Sequence, residues 1–368
     1  MVLYAYLSER REDCRERVYV LADRLLDALA EQESEFNLFG GCIGVGWTFA
    51  HLQNEFPSLG LNIDLAELDD LVVQVLADRA DELRYDLISG LVGLGVYGLE
   101  RGVAGRARDV VACVVKCLED RAEKSGECVT WRTPVGHLAL DSRALNPRGL
   151  YDVGVAHGIP GILAFLASAK ESGVIRRGTT TLLAEATLSL LRMCEIAGVV
   201  EMPYIISETE APRLSRMAWC YGSPGVSTAL LRVAKAIGRE DIRSTAIEMA
   251  NRSASTPTSI SGVRDAGLCH GATGVAHLFN RAASFEPQFI AGRSASLKWL
   301  EHALAMRVRH GGIGGFFSLK AESGLVASPG FLEGAAGVAL ALEAAVSQRD
   351  PAWDRVLLMS SPPERKSE

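Results

Sequence analysis

The chain has 368 residues, of which 48% are apolar and 23% charged, and its formal net charge is −7. This balance is typical of a globular protein, and the absence of a long basic cluster argues against a nucleic-acid-binding protein. No apolar run is long enough for a membrane span, and charges from Glu9 onward leave no room for a secretory signal. The eight cysteines lack the short spacing of a secreted disulfide framework, so we expect reduced thiols in a cytoplasmic protein.

Amphipathic helices and a few strands are predicted along the chain. Four segments carry apolar residues at three- and four-residue spacing, which is typical of helices with one buried face: residues 14–32, 65–78, 106–120 and 180–194. Strand signals are limited to "ECVTWRT" around Val129 and "GGFFSL" around Phe316. The polar, proline-containing end "SSPPERKSE" is expected to be disordered.

A Gly-x-x-Gly pair followed by an apolar run recurs six times, and such repetition is typical of repeat architectures. The six pairs begin at Gly41, Gly90, Gly158, Gly222, Gly271 and Gly334. In the third and fourth repeats a proline stands in the expected first helical turn, where its missing N–H costs nothing. Each glycine pair is therefore predicted to mark the start of a buried helix, with glycines that allow neighbouring elements to approach closely.

The alternation of apolar and charged helices predicts two layers, with the glycine-led helices inside. In a closed ring of parallel inner helices, all their N-termini meet at one end, where partial positive charge favours anions, thiolates included. An open helical solenoid is the alternative, and the pattern favours the ring. The predicted fold class is all-α.

The residues just before the glycine pairs would then lie together. The chemically useful ones are Asp86, His157, Arg216, Tyr221 and three soft ligands. Those ligands are Cys220, Cys269 and His270. Zinc is commonly bound by such a set, with one position left open in catalytic sites. Adjacent side chains diverge on a helix, so the two neighbours of the fifth repeat must lie in a turn to bind one ion.

Ordinary structural roles compete with these interpretations. The other cysteines fit small buried side chains. Asp86 could cap its helix, His157 could be a satisfied polar group, and Arg216 could pair with any carboxylate. The common phase of the repeats is what favours a metal site.

Three segments, "AHGIPG", "WCYGSPG" and "CHGATG", occur in this order and resemble the lanthionine synthetase C-like family from about residue 15 to about residue 347. The resemblance implies an α/α toroid of two concentric helix layers with a zinc ion at the open end of the inner ring. It implies one zinc ion per chain, bound by Cys220, Cys269 and His270. His157 matches the catalytic histidine, while Asp86, Arg216 and Tyr221 match active-site positions.

The resemblance also implies an activity and partners. The bacterial cyclases of this family add a peptide cysteine to dehydroalanine or dehydrobutyrine, which forms lanthionine or methyllanthionine. The expected partners are a dehydrated precursor peptide, with its leader and core, and a lanthipeptide dehydratase, in a cytoplasmic enzyme at the edge of a membrane-associated complex. The alternative is a family member that binds or transfers glutathione, or an inactive peptide-binding scaffold. A sugar-cleaving enzyme on a similar ring is disfavoured, because paired carboxylates are lacking at these positions.

The sequence departs from the family pattern at two points. Six glycine-led helices are clear where seven hairpins are usual, so a seventh either lacks the signature or lies near "HGGIGGF". The stretch 120–148 is too short for a full extra domain and is expected to be an irregular or β-containing insertion. We predict one toroid domain over residues 1–350 and a partly disordered tail over residues 351–368.

Overall fold

The computed structural model describes residues 1–31, 33–175, 177–198 and 200–363, and these residues are mainly helical. The α-helices are α1 (Val2–Ser8), α2 (Glu12–Glu31), α3 (Cys42–Glu55), α4 (Ala66–Arg79), α5 (Leu91–Glu100), α6 (Gly105–Arg121), α7 (Leu140–Leu145), α8 (Ile159–Glu171), α9 (Arg177–Ile196), α10 (Ser223–Ile237), α11 (Glu240–Ser255), α12 (Ala272–Phe285), α13 (Gly292–Ala305) and α14 (Ala335–Val346). Short 3-10 helices cover Pro57–Leu59, Ala80–Glu82, Val135–His137, Thr258–Ile260 and Ala352–Leu357. Among these described helices, none has the length and apolarity that a membrane crossing requires.

The strands form three small antiparallel pairs. They are β1 (Glu123–Ser125) with β2 (Cys128–Thr130), β3 (Tyr151–Asp152) with β4 (Ile205–Ile206), and β5 (Ser318–Lys320) with β6 (Gly324–Val326). The two predicted strand segments correspond to β2 and β5. The insertion consists of the β1–β2 hairpin, a 3-10 turn and α7, which agrees with the short β-containing insertion predicted.

The four predicted amphipathic segments are all helical and correspond to α2, α4, α6 and α9. Helices α11 and α13 were not singled out in the sequence, although each follows a glycine-led helix as α4 and α6 do. Alanine takes several of their apolar positions, among serine and threonine, so they carry fewer large apolar side chains than the four segments named above.

By its internal contacts the chain divides into two compact units, each with two layers of helices. Unit 1 comprises residues 1–121, 165–180 and the chain from 352, and unit 2 comprises residues 122–164 and 181–351. In unit 1 the glycine-led α3 packs on α5, and the following helices α4 and α6 pack on each other. In unit 2 α12 packs on both α10 and α14, while α11 packs on α13. One domain over residues 1–350 remains a prediction.

The glycine-led helices are the buried layer, as predicted. Every residue of α5 is buried, and so is every residue of α10 from Ser223 to Ala234. The partner helix α6 buries only one face, formed by alanine, valine and leucine. Burial of apolar surface contributes roughly 25 cal/mol per Å², so the buried apolar side chains of α5 and α10 are a substantial source of stabilisation.

The glycine pairs mark helix starts, as predicted. Five first glycines are the N-caps of α3, α5, α10, α12 and α14, and Gly158 immediately precedes α8. The second glycine was expected to let neighbouring elements approach closely. In the structure it is instead the turn just before the helix that approaches this glycine. A Cβ at Gly274 would lie 1.8 Å from the Leu268 carbonyl oxygen, and one at Gly225 would lie 2.2 Å from the Trp219 oxygen. The turn therefore folds back over the helix start and leaves no room for a side chain.

Replacing Gly274 by alanine is expected to lower the free energy of unfolding by about 2–4 kcal/mol, because a backbone oxygen cannot move aside as a side chain can. The matched control is Gly178→Ala in α9, where the added Cβ meets nothing within 4 Å. Alanine there should stabilise the helix by about 0.5–1 kcal/mol. Urea unfolding of both variants measures the difference, and equal stabilities would refute this explanation of the repeat.

Of the two places predicted for a seventh helix start, the structure favours a helix without the signature. Helix α1 packs on α2 and α3 without a glycine pair, and its Tyr6 hydroxyl accepts a hydrogen bond from the Trp353 N–H (3.0 Å). The alternative location, "HGGIGGF" at residues 310–316, forms turns and an isolated Ile313–Phe316 bridge rather than a helix. The chain just after residue 350 is ordered, since Trp353 and Leu357 are fully buried. Partial disorder was predicted for the tail over residues 351–368. Of this tail, residues 364–368 lie outside the described part.

Candidate metal centre

The turns that precede the glycine-led helices are joined by backbone hydrogen bonds at one repeat position, two residues before the first glycine. In unit 2 the Ala156 N–H donates to the Cys220 carbonyl (3.3 Å), and the Cys269 N–H donates to the Leu332 carbonyl (2.7 Å). Between them, the N–H groups of Trp219 and Cys220 share the Cys269 carbonyl (3.0 and 3.4 Å). This ladder holds four consecutive turns in register, so side chains at equivalent positions lie side by side.

The ladder brings together the three soft ligands expected from the sequence. Ligand atoms of Cys220, Cys269 and His270 all lie within 4.8 Å of one another. Cys269 and His270 stand in a turn before the N-cap Gly271, not in the helix, which lets neighbouring side chains converge. In a tetrahedral site with bonds of roughly 2.0–2.3 Å the ligand atoms stand about 3.3–3.8 Å apart. The group therefore fits a metal ion with only small side-chain movement.

The electrostatics of this cluster favour a cation. A hydrogen bond from Cys269 lowers the pKa of the Cys220 thiol well below its usual range, and a hydrogen bond from His270 and the charge of Arg216 act in the same direction against burial. The same bond to Cys220 raises the pKa of Cys269, with burial adding to it. The hydrogen bond to Cys220 also raises the pKa of His270. The two sulfurs thus carry a negative charge that His270 and Arg216 balance in part, and binding of a metal would displace the thiol and imidazole protons.

His157 and Tyr221, both predicted as active-site residues, lie together in unit 2. Their rings stack with centroids 6.2 Å apart and an angle of 28° between the planes. Tyr221 directly follows Cys220 in the chain. The loop before α8 lies against both residues, because a Cβ at Gly154 would lie 2.6 Å from both the Cys220 oxygen and the Tyr221 ring. The imidazole is therefore held next to the turn that carries one ligand.

Arg216 lines a cavity of about 920 Å³ together with His270. Its positive charge contributes to the lowered pKa of Cys220, so the guanidinium acts on the cluster electrostatically. Its backbone N–H donates to the Tyr204 hydroxyl (3.4 Å), and Tyr204 also lines the cavity. A pocket of this size is in the range of small-molecule and peptide side-chain sites.

Asp86 is the one predicted site residue that the structure places in unit 1. It is buried, and its Oδ1 accepts hydrogen bonds from the backbone N–H (2.8 Å) and the hydroxyl (3.3 Å) of Ser89. It thus stabilises the turn before α5, which resembles the capping role considered from the sequence. A place for Asp86 beside His157 remains a prediction.

Several residues around the site were missed or given little weight. Glu333 stands at the repeat position of His270, lines the cavity and forms an ion pair with Lys320 of β5. Buried Asp265 accepts hydrogen bonds from the N–H groups of Gly267 and Leu319 (both 3.0 Å), which fastens β5 to the turn that carries two ligands. The Asp152 carboxylate accepts a hydrogen bond from the Tyr221 hydroxyl (2.8 Å).

A repeated position in the sequence could have identified Asp152 and Asp265. The position six residues before the first glycine is charged in five of the six repeats: Glu35, Arg84, Asp152, Arg216 and Asp265. Of these five residues, only Arg216 was predicted to belong to the site.

Comparisons with known proteins bear on the fold and the family of the chain. No curated protein matches the chain significantly. The solved structure of nisin cyclase superposes with a TM-score of 0.74 and covers 97% of this chain and 89% of that chain at 18% sequence identity. This likeness shows the fold class predicted from the sequence, an all-α fold of the α/α toroid type rather than an open solenoid. The family model described as lanthionine synthetase C-like protein matches residues 1–358. The chain therefore belongs to the lanthionine synthetase C-like protein family.

Proposed function

We propose that this protein is a zinc-dependent peptide cyclase. It would add a cysteine thiol of a dehydrated peptide to dehydroalanine or dehydrobutyrine and so form lanthionine or methyllanthionine thioether rings. The observation that carries the proposal is the convergence of Cys220, Cys269 and His270 within 4.8 Å, in a chain of this family. An inactive scaffold would have no need to keep three soft ligands together in a buried place.

The three ligands fit zinc better than other common ions. Two sulfurs and one imidazole are a soft donor set, and calcium or magnesium would require oxygen ligands. Zinc at this site would supply acidity, since it lowers the pKa of a coordinated thiol and keeps it as thiolate near neutral pH. Two thiolates balance the charge of the ion, which suits alkylation of a thiol better than hydrolysis.

In this proposal Arg216 stabilises the negative charge that develops during the addition, and His157 transfers a proton. When the substrate thiolate forms its bond to the β-carbon, the double bond breaks and negative charge develops on the oxygen of the adjoining amide. Arg216, a fixed cation beside the cluster, would stabilise that oxygen. The α-carbon then takes a proton, for which a histidine such as His157 is the suitable donor near neutral pH. The alternative is that His157 removes the proton of the incoming thiol.

The remaining predicted residues have supporting tasks in this proposal. Tyr221 holds the imidazole by ring contact (6.2 Å between centroids), and Asp86 would orient His157 or adjust its proton affinity. The substrate would be a dehydrated precursor peptide whose reacting segment occupies the cavity of about 920 Å³. The partners would be that peptide and the dehydratase that prepares it, in the cytoplasm.

The deciding experiment uses the purified zinc-loaded chain and a short peptide that contains one cysteine and one dehydroalanine. Cyclisation leaves the mass unchanged, so the readout is loss of the thiol that N-ethylmaleimide labels, followed by mass spectrometry. We expect the enzyme to exceed the uncatalysed reaction by at least about 10³-fold. The control peptide carries serine in place of dehydroalanine and must keep its thiol.

The same assay tests the alternative function. A cavity of about 920 Å³ is also large enough for a tripeptide thiol. The glutathione arm contains a dehydroalanine peptide without cysteine, and its readout is a glutathione adduct. Adduct formation without ring closure would favour the glutathione-transferring alternative over the cyclase, and a background rate in both arms would refute either enzyme.

A further inference from the structure

Each oxygen of the Asp152 carboxylate accepts a hydrogen bond. Its Oδ1 accepts from the Gly154 backbone N–H (2.9 Å), and its Oδ2 accepts from the Tyr221 hydroxyl (2.8 Å). A hydroxyl that donates to an ionised carboxylate makes a charge-assisted bond, which is stronger and more directional than a neutral one. The proton of the Tyr221 hydroxyl is therefore committed to Asp152.

The ring of Tyr221 is held from two further sides. It stacks on the His157 imidazole (6.2 Å) and contacts the Tyr204 ring with centroids 5.2 Å apart. The backbone supports this arrangement, because β3 pairs Asp152 with Ile205 and the Val153 N–H donates to the Tyr204 carbonyl (3.1 Å). The β3–β4 pair thus brings the Asp152 carboxylate and the Tyr204 ring together, so that both contact Tyr221.

We propose that Asp152 is a positioning residue, which fixes the Tyr221 ring against His157 through the hydroxyl–carboxylate bond. It follows that Tyr221 acts as a wall for the imidazole and not as a proton donor, since its proton is already engaged. The catalytic meaning of this inference rests on the proposed function, whereas the geometry itself is independent of it.

Two substitutions separate positioning from a general structural role. Asparagine at position 152 has one acceptor oxygen instead of two, so it can keep the bond to Gly154 and must then turn its NH₂ group toward the Tyr221 hydroxyl. Tyr221→Phe removes the hydroxyl and keeps the ring. Because one bond requires both groups, the effects of the two variants should not add in the double variant.

The direct readout is the His157 imidazole signal in a ¹H–¹³C spectrum of full-length protein with labelled histidine. The chain has seven histidines, and His157→Gln identifies the signal. We expect Asp152→Asn and Tyr221→Phe to shift it in the same direction, the double variant to shift it no further than Tyr221→Phe, and the His302 and His310 signals to stay in place. Asp152→Glu should restore part of the shift. An unchanged signal in Asp152→Asn, or additive shifts, would overturn the proposal.

Kinetics complete the test and keep it separate from the proposed function. In the cyclisation assay, Asp152→Asn should lower kcat about tenfold, as positioning partners of active groups commonly do, while KM stays within about twofold. The matched control is Asp241→Asn, an exposed carboxylate that pairs with Arg239 on the surface. If the unchanged protein shows no cyclisation but the His157 signal responds as expected, the function is refuted and the positioning role stands.

Discussion

Replacing Cys220 or His270 by alanine is expected to remove the bound metal. The purified protein should contain about one zinc ion per chain, and either variant should contain less than about a tenth of that after dialysis, because loss of one of three ligands weakens binding steeply. The physical reason is that the remaining two donors cannot complete a tetrahedral site or exclude water from the ion. Elemental analysis by mass spectrometry under reducing, chelator-free conditions measures the content.

The matched control for the metal is Cys194→Ala. Cys194 is a buried free thiol in α9, and burial raises its pKa to about 12, so it should contribute no ligand. This variant should keep its full zinc content. If the unchanged protein binds no zinc, or if Cys220→Ala and Cys194→Ala retain equal amounts, the proposed metal centre is wrong and the inactive-scaffold alternative takes its place.

Replacing His157 by alanine is expected to lower the cyclisation rate by about 10²–10⁴-fold, the usual contribution of a positioned acid or base. Zinc content should stay at about one ion per chain, because His157 is outside the group of three ligands. The rate is measured by thiol labelling with saturating peptide, and the metal by elemental analysis of the same preparation.

The surface residue His310 is the control, and His310→Ala should cyclise at the full rate. The stereochemistry of the product distinguishes the two roles considered for His157. If it donates the proton to the α-carbon, the slow residual reaction of His157→Ala should give a mixture of configurations, and if it only removes the thiol proton, the product should stay uniform. A full rate with a uniform product would exclude both roles.

The helix starts and the convergence of Cys220 with Cys269 were accessible from the sequence for one reason. The turn before each inner helix folds back so closely that Gly274 or Gly337 would place a Cβ 1.8 Å from a carbonyl oxygen. A constraint of this kind acts on the backbone within a few residues, so it leaves a fixed spacing in the sequence. Once the spacing is known, residues at equal distance from each glycine pair are known to be neighbours, and Cys220 and Cys269 follow from it.

Features that depend on contacts between distant segments left no such spacing. Helix α1 lacks the glycine pair, and its place is fixed by side-chain contacts such as the buried Tyr6 hydroxyl that accepts from Trp353. The ion pair of Lys320 with Glu333 depends on a hairpin that returns to the site. The bond between Tyr221 and Asp152 joins residues 69 positions apart. No local periodicity encodes these distances, so the structure was needed to find them.

The ladder of turns has a consequence for how this site can be changed. Its hydrogen bonds run from backbone to backbone, from Ala156 through Cys220 and Cys269 to Leu332, so the side chains at these positions are not needed to hold the turns together. Alanine, cysteine and leucine already occupy the same place in different repeats. We therefore expect the frame to tolerate substitution at these positions, so that a new ligand or nucleophile at Leu332 would be presented by the same turn.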